Sequence, residues 1–149
     1  AADPAAVSEA DIEPPRQFAG ARVLLVEDNE LNRLIASSML QSWDIDVQEA
    51  VDGEEALALV ESANGRFDLV LMDIHMPGMS GYEATEQLRR KFGAAELPIV
   101  ALTAAALASE QAHALSVGMN DFVPKPIDVE QLRTVVSRWL RRSASARDN

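Results

Sequence analysis

The stretch LVLMDIHMPGMSG (residues 69–81) joins an unbroken apolar run to an acidic residue, Asp73, and then to a loop with two glycines. The run shows no polar alternation, which is typical of a parallel strand covered by helices on both faces. Gly78 and Gly81 allow tight turns and close approach by a ligand. The stretch therefore predicts a buried strand that ends at a binding site.

Four other short apolar segments alternate with helical patterns along the chain. The predicted strands are residues 23–26, 47–50, 67–72, 99–102 and 122–123. The predicted helices are about 29–43, 53–63, 80–91, 107–117 and 129–141. This alternation predicts one parallel sheet with helices on both faces, and right-handed crossovers make the sheet doubly wound. The more polar segment VQEA (residues 47–50) suits an edge strand.

Length and composition limit the kind of protein this can be. The 149 residues suffice for one domain, placed at 21–142, with a flexible linker at 1–20 and a disordered C-terminal tail at 143–149. A formal net charge of −11 argues against binding to nucleic acid, and the absence of cysteine excludes disulfides and thiolate metal sites. No apolar run reaches the about 20 residues of a membrane span, so we expect a cytoplasmic domain without direct membrane contact.

Polar side chains follow four of the predicted strands. Glu27 and Asp28 follow the first, Asp73 the third, Thr103 the fourth and Lys125 the fifth. Because ligands bind at the carboxyl ends of parallel strands, we expect these side chains to meet at one edge of the sheet. Carboxylates about 4 Å apart repel by about 4 kcal/mol at an effective dielectric of about 20. The cluster therefore predicts a hard cation, and Mg²⁺ suits it because Mg²⁺ also shares phosphate oxygens.

Asp73 has the best position for a nucleophile, since it ends a buried strand and precedes the glycine-containing loop. A carboxylate can attack phosphorus to form an aspartyl phosphate. The cation and Lys125 would neutralise charge on the transferred group, and Thr103 would donate a hydrogen bond to it. Two other interpretations stay open: Asp28 as the N-cap of the following helix, and Lys125 as a salt-bridge partner of the acids.

The first predicted helix has two apolar faces. The stripe at helical spacing that we assign to the core consists of Ile35, Ala36, Met39, Leu40 and Trp43. Leu31 and Leu34, with Ser38, lie on a second face near the acidic residues. Either a wide core takes in these two leucines, or they form a small apolar docking patch beside the site.

Four motifs in register, VLLVEDN, LVLMDIHMPGMSG, PIVALTA and DFVPKP, resemble the receiver domain of two-component response regulators. The similarity runs from about residue 22 to residue 141. It implies a flavodoxin-like (βα)5 fold, a doubly wound parallel five-stranded sheet in the order 2-1-3-4-5. It also implies that Asp73 accepts a phosphoryl group from a phosphohistidine. By the same match Mg²⁺ is bound by Glu27, Asp28, Asp73 and the backbone carbonyl of His75.

The resemblance assigns roles to the later strands as well. Thr103 matches the switch hydroxyl of the family, Phe122 the switch aromatic and Lys125 the lysine that contacts the phosphate. The peptide bond between Lys125 and Pro126 is expected to be cis. The His75 side chain is expected to lean over the phosphorylation site. One residue departs from the pattern: Asp44 stands where a glycine commonly ends the first helix, and glycine suits that left-handed position better.

Within the family, the stretches DN-x-x-NR (residues 28–33) and GMNDFVPKPID (residues 118–128) look most like receivers attached to hybrid sensor histidine kinases. The similarity implies a sensor histidine kinase and a histidine phosphotransfer domain as partners of a monomeric receiver. The implied docking residues are Asn29, Leu31, Leu34 and Ser38. A receiver would catalyse its own phosphorylation and dephosphorylation. A stand-alone single-domain response regulator is the alternative.

Three other functions fit the residues less well. An aspartyl-phosphate phosphatase similar to the haloacid dehalogenases would carry D-x-D after its first strand, whereas Asp73 follows the third strand in D-I-H. A flavodoxin would need a Ser/Thr/Gly-rich phosphate loop where this chain has EDNELN. A scaffold that has lost phosphorylation is disfavoured because all the acceptor residues are present.

Overall fold

The computed structural model describes residues 18, 20–104 and 108–148, and the side chains of these residues as far as Leu140. Its strands are β1 (Arg22–Val26), β2 (Asp46–Ala50), β3 (Leu69–Asp73), β4 (Ile99–Thr103) and β5 (Asp121–Pro124). Its helices are α1 (Glu30–Gln41), α2 (Gly53–Ser62), α3 (Gly81–Arg89), α4 (Ala108–Ser116) and α5 (Val129–Asp148). The strands form one parallel sheet in the order β2-β1-β3-β4-β5, which confirms the predicted fold.

Burial follows the position of each strand in the sheet. Every residue of β3 and β4 is buried, whereas Asp46, Gln48 and Glu49 of β2 are exposed. The apolar runs therefore mark the central strands and the polar run marks the edge, as predicted. Within residues 20–104 and 108–148, no helix combines the length and apolar character needed to cross a membrane.

The core has two layers, one on each face of the sheet. Alternate residues of β1 point to opposite faces: Leu24 packs in the layer under α2, α3 and α4, and Leu25 packs in the layer under α1 and α5. Both layers have a centre of buried hydrophobic side chains, mostly aliphatic, with a few aromatic residues and methionines. The sheet is thereby held rigidly from both sides, and its carboxyl edge is a fixed platform for side chains that follow the strands.

Helix α1 differs from the predicted stripe at one residue. Ala36, Leu40 and Trp43 are buried, but Ile35 is 41% exposed, so its assignment to the core was wrong. The buried arc is rotated toward Ser37, which is only 4% exposed, because a small side chain there lets the helix lie close to the sheet. The same rotation carries Ile35 toward the exposed face.

The ends of the domain also differ from the sequence expectation. Phe18 is buried and its ring centroid lies 6.1 Å from that of Trp43, so the folded part begins before residue 21. Apart from Gly20, the rest of the expected linker lies outside the described residues. The backbone of α5 continues as helix to Asp148 through most of the segment that we interpreted as a tail. Extending an existing helix requires no new nucleation, and alanine and arginine favour it.

Candidate functional site

The acidic side chains at the carboxyl ends of β1 and β3 converge at one edge of the sheet. Because β1 and β3 pair directly, with Val26 opposite Met72, the next residues, Glu27 and Asp73, are neighbours. Single carboxylate oxygens of Glu27, Asp28 and Asp73 all lie within 4.8 Å of one another. Glu27 and Asp73 are buried, and Asp28 is exposed to solvent. The arrangement offers oxygen ligands to a cation from one open side.

Among the residues that the structure describes, Lys125 is the basic side chain that forms ion pairs with these acids. Its Nζ lies 2.9 Å from Glu27 Oε1 and 3.1 Å from Asp73 Oδ1. Its backbone nitrogen donates to the carbonyl of Thr103 at 2.7 Å, which fixes the start of the loop after β5. The salt-bridge interpretation of Lys125 is therefore correct for this state, and it is compatible with a phosphate contact. The peptide bond between Lys125 and Pro126 is cis, as predicted.

Burial changes the acidity of the central carboxyl group. Burial first, and the charge of Glu27 second, raise the pKa of Asp73 to about 6, and Lys125 acts in the opposite direction. Burial alone would lower the pKa of Lys125, but its hydrogen bonds and ion pairs with Glu27 and Asp73 raise it overall. The site thus combines a lysine that stays charged with a carboxyl group that an added cation would help to ionise.

The capping interpretation of Asp28 is wrong. The N-cap of α1 is Asn29, whose side-chain oxygen accepts a hydrogen bond from the backbone nitrogen of Asn32 at 2.9 Å. The backbone nitrogen of Asn29 in turn donates to Glu27 Oε2 at 3.2 Å. The start of the helix therefore orients Glu27 and leaves the Asp28 carboxylate in the acidic cluster.

The glycines of the loop after β3 serve backbone packing. A Cβ atom on Gly81 would collide with the carbonyl oxygen of Asp73, so α3 begins directly against the backbone of that residue. Ser80 caps α3 in a reciprocal capping box with Glu83. Gly78 has a positive φ of 78°, as a tight turn requires. The close neighbour of Gly81 is thus the chain itself and not the ligand that the sequence suggested.

Thr103 and Phe122 lie on adjacent strands near the same edge. Thr103 ends β4 and is fully buried, and it pairs in register with Pro124 of β5. Phe122 is partly buried and packs against the layer under α2, α3 and α4. It also lines an open groove of about 450 Å³ between α4, β5 and α5. The side chain therefore has space on its outer side and core on its inner side.

The side chain of His75 makes a contact that the sequence did not indicate. Its Nε2 lies 2.9 Å from Glu110 Oε2 on α4, and the imidazole is 60% exposed. The ring, which we expected to lean over the phosphorylation site, is paired with a neighbouring helix. His75 and Glu110 are 35 positions apart in the chain, so no local sequence pattern predicts their contact.

Three of the residues predicted for docking lie on α1, and the fourth, Asn29, is the N-cap of that helix. Asn29, Leu31, Leu34 and Ser38 are all exposed, with Leu31 at 63% and Leu34 at 61%. The displaced Ile35 extends this apolar face toward a cavity of about 350 Å³ whose lining includes Lys125. The apolar face thus reaches the edge of the acidic site.

Arg33, the last residue of the DN-x-x-NR motif, makes a contact that the sequence did not predict. Its guanidinium donates to the backbone carbonyl of Glu27 at 2.9 Å, directly behind the acidic cluster. The available signal was a basic residue five and six positions after two acids that follow a strand, and that signal is weak by itself.

The sequence and the fold are both similar to those of known proteins. The family model described as "Response regulator receiver domain" matches residues 23–137. "Sensor protein GacS" of Pseudomonas syringae pv. syringae is 42% identical over 147 residues, which are 94% of this chain and 16% of the relative's length. The solved receiver domain of sensor histidine kinase PA1611 from Pseudomonas aeruginosa PAO1 is 38% identical with a TM-score of 0.74, over 82% of this chain and 98% of that one. That structure has a magnesium ion coordinated in its active-site cleft.

A second solved structure shows a relative with a partner. It is the co-crystal of the Saccharomyces cerevisiae histidine phosphotransfer signaling protein Ypd1 with the receiver domain of its downstream response regulator Ssk1. The match has 33% identity and a TM-score of 0.73, and it covers 82% of this chain and 90% of that chain.

Proposed function

The chain belongs to the response regulator receiver domain family, and from this premise we propose that Asp73 is its phosphoacceptor in a two-component phosphorelay. The observation that carries the proposal is the contact between Asp73 and Lys125, at 3.1 Å, inside a cluster of three carboxylates at the carboxyl edge of the sheet. A nucleophile, a cation site and a phosphate-contacting cation are the parts that phosphoryl transfer requires.

We assign the cation site to Mg²⁺. Three carboxylates that bring an oxygen each within 4.8 Å suit a hard divalent cation, and the open side toward Asp28 leaves room for water and phosphate oxygens. Glu27, Asp28, Asp73 and the backbone carbonyl of His75 would hold it. When bound, Mg²⁺ neutralises negative charge on the transferred phosphoryl group. The magnesium in the related Pseudomonas aeruginosa receiver supports this assignment.

The chemistry falls to Asp73 and its neighbours. An oxygen of the Asp73 carboxylate attacks the phosphorus of a phosphohistidine while the bond from phosphorus to the imidazole nitrogen breaks, and the electron pair returns to that nitrogen. With a pKa of about 6, Asp73 is mainly ionised near pH 7 and able to attack. Lys125 lies close enough to Asp73 to contact the phosphoryl group once that group is bonded to Asp73. Hydrolysis of the aspartyl phosphate would then reset the site.

A conformational response would pass through Thr103 and Phe122. The phosphoryl group offers new acceptor oxygens, and the Thr103 hydroxyl at the end of β4 is the nearest switch candidate. Phe122 could then turn from its partly exposed position toward the space that Thr103 vacates. The groove of about 450 Å³ beside Phe122 supports this motion, because the side chain borders open space on that side and is not enclosed by the core.

We propose that the exposed face of α1 receives a histidine phosphotransfer domain. Leu31 and Leu34 are more than half exposed, and they lie at the edge of the sheet where the phosphoryl group would be transferred. The yeast complex supports a partner of this class for receivers of this fold. Since the chain spans only 16% of the related GacS sensor, we also propose that it acts as the receiver module of a larger hybrid sensor kinase.

The test of the acceptor is intact-mass analysis after incubation with Mg²⁺ and acetyl phosphate. We expect one added phosphoryl group, lost in Asp73→Asn and lost without Mg²⁺. Undiminished phosphorylation of Asp73→Asn would refute the assignment of the acceptor. Undiminished phosphorylation without divalent cations would refute the assignment of the metal.

A further inference from the structure

Arg33 connects three elements behind the acidic cluster. It lies in the first half of α1, and its side chain is only 17% exposed. Its Nη1 donates to the backbone carbonyl of Glu27 at 2.9 Å, and its Nε lies 3.3 Å from Glu49 Oε1 at the end of β2. The guanidinium therefore ties the turn after β1 to a helix on one side and to the edge strand on the other.

The carbonyl that Arg33 holds belongs to the peptide group between Glu27 and Asp28. The orientation of this peptide sets the directions in which both side chains leave the backbone. Glu27 has further restraints, since its Oε2 accepts from the nitrogen of Asn29 and its Oε1 contacts Lys125. Asp28 is exposed, so its direction depends mainly on the backbone that Arg33 holds.

The chemistry of the guanidinium suits this task. A planar guanidinium carries five N–H donors in fixed directions and can hold a carbonyl and a carboxylate together, whereas an ammonium group is a point charge on a flexible stem. A positive charge near a cation site would by itself weaken cation binding. The ion pair with Glu49 offsets that charge, so the geometric effect of Arg33 remains.

We propose that Arg33 is a positioning residue for Mg²⁺: it preorients the peptide between Glu27 and Asp28 so that two carboxylates face the cation. This inference rests on the proposed function. It adds a residue that does not touch the metal or the phosphoryl group. Partners that orient metal ligands typically contribute about 10- to 100-fold to metal affinity.

The test is the dissociation constant for Mg²⁺, measured by isothermal titration calorimetry on the unphosphorylated protein. Three variants separate position from charge. Arg33→Met removes the donors and the charge, Arg33→Lys keeps the charge without the fork, and Arg33→Met combined with Glu49→Gln keeps the wild-type net charge. Arg90→Met, at an exposed position at the end of α3 away from the acidic edge, is the matched control for net charge.

We expect the Kd for Mg²⁺ to rise about tenfold in Arg33→Met and in the double variant, and severalfold in Arg33→Lys. If Arg33 acted only through its charge, Arg33→Met would bind Mg²⁺ more tightly and the other two variants would match the wild type, which would overturn the inference. A purely structural role would lower the thermal midpoint of the variants and leave Kd unchanged, which would overturn it too. Failure of the wild type to bind Mg²⁺ would instead refute the metal assignment on which the inference depends.

Discussion

Lys125 Nζ lies 2.9 Å from Glu27 Oε1, and the side chains are only 18% and 1% exposed. The buried carboxylate of Glu27 is therefore neutralised by Lys125. In the proposed function, the same lysine also contacts the phosphoryl group. The pair stabilises the resting site, and it holds Lys125 beside Asp73 before any phosphoryl group arrives.

Removal of Lys125 should destabilise the metal-free protein. Breaking a buried ion pair by deleting one partner typically costs about 3–5 kcal/mol, so Lys125→Met should lower the free energy of unfolding by about 3 kcal/mol in chelator. Urea unfolding followed by tryptophan fluorescence measures the change. Saturating Mg²⁺ should restore more stability to this variant than to the wild type, because the cation compensates the same acids. Lys91→Met, which breaks an exposed pair with Glu61, is the control and should cost less than about 1 kcal/mol.

The pH dependence of stability should show the raised pKa of Asp73. The folded-state pKa is about 6 and the ordinary value is 3.8, so between these values the folded protein binds more protons than the unfolded chain. Stability contributed by protonated Asp73 is therefore lost as pH rises through this window. Relative to Asp73→Asn without Mg²⁺, the wild type should lose about 2 kcal/mol between pH 4 and pH 7. Equal pH profiles for the two proteins would contradict the raised pKa.

Asp44 should be a position where glycine stabilises the fold. Its φ of 64° confirms the left-handed conformation at the end of α1, which costs a residue with a Cβ about 1–2 kcal/mol relative to glycine. We expect Asp44→Gly to raise the free energy of unfolding by up to about 1 kcal/mol, measured in urea. Asp46→Gly makes the same replacement at an exposed, extended position of β2 and should lower stability instead.

Arg89 should matter for stability without taking part in the site. Its guanidinium donates to the carbonyls of Gly118 and Leu97 at 2.8 and 2.9 Å, and to Asn120 Oδ1 at 2.8 Å. Deleting it removes this donor from the partly buried carbonyls of Gly118 and Leu97, while Asn120 Oδ1 keeps only its hydrogen bond from the backbone nitrogen of Ile99, so Arg89→Met should cost about 3 kcal/mol by urea unfolding. Arg90→Met, at the exposed neighbouring position, should change stability by less than about 0.5 kcal/mol. A similar cost at both positions would contradict the importance of the buried network.

The exposed leucines of α1 should control phosphotransfer between proteins. Leu31→Glu or Leu34→Glu places a charge on the proposed docking face, and we expect transfer to a histidine phosphotransfer domain to slow at least about tenfold, because a buried unpaired charge is costly at an interface. The partner is one that accepts the phosphoryl group from the wild-type receiver, and radiolabelled phosphate follows the transfer. Leu115→Glu alters an exposed leucine on α4 and is the control. Equal slowing in all three variants would refute the docking face. Phosphorylation of the variants by acetyl phosphate, a small-molecule donor, separates a docking defect from a defect in the chemistry of phosphoryl transfer.

The sequence predicted well those features that depend on a repeating apolar pattern or on the position of a residue at the end of a strand. Unbroken apolar runs marked β3 and β4, a polar run marked the edge strand, and residues directly after strands had to meet at one edge once the strands were parallel. The strand order came from the family resemblance, because alternation alone does not order the strands. Asp44 was recognised as a left-handed position because the family pattern has a glycine there.

The features that sequence missed depend on side chains that meet across long separations. The pairing of His75 with Glu110 and the packing of Phe18 on Trp43 join distant parts of the chain that only the assembled fold brings together. Ile35 was misassigned because a helical stripe defines the buried side of a helix only to within about one residue. The small side chain of Ser37 allows the helix to rotate so that Ser37 is buried and Ile35 is exposed. Arg33 acts on a backbone carbonyl, which has no sequence signature.

The contact of Gly81 with the carbonyl of Asp73 has a consequence for the interpretation of mutational scans. A survey of substitutions for lost signalling should find residue 81 as intolerant as the proposed acceptor, Asp73, since even a methyl group at residue 81 pushes the backbone of Asp73 out of place. The two defects differ in kind: at residue 73 the reactive group is absent, whereas at residue 81 it is present and misaimed. Genetic intolerance along this loop therefore maps the tightness of backbone packing as much as the chemistry of phosphoryl transfer.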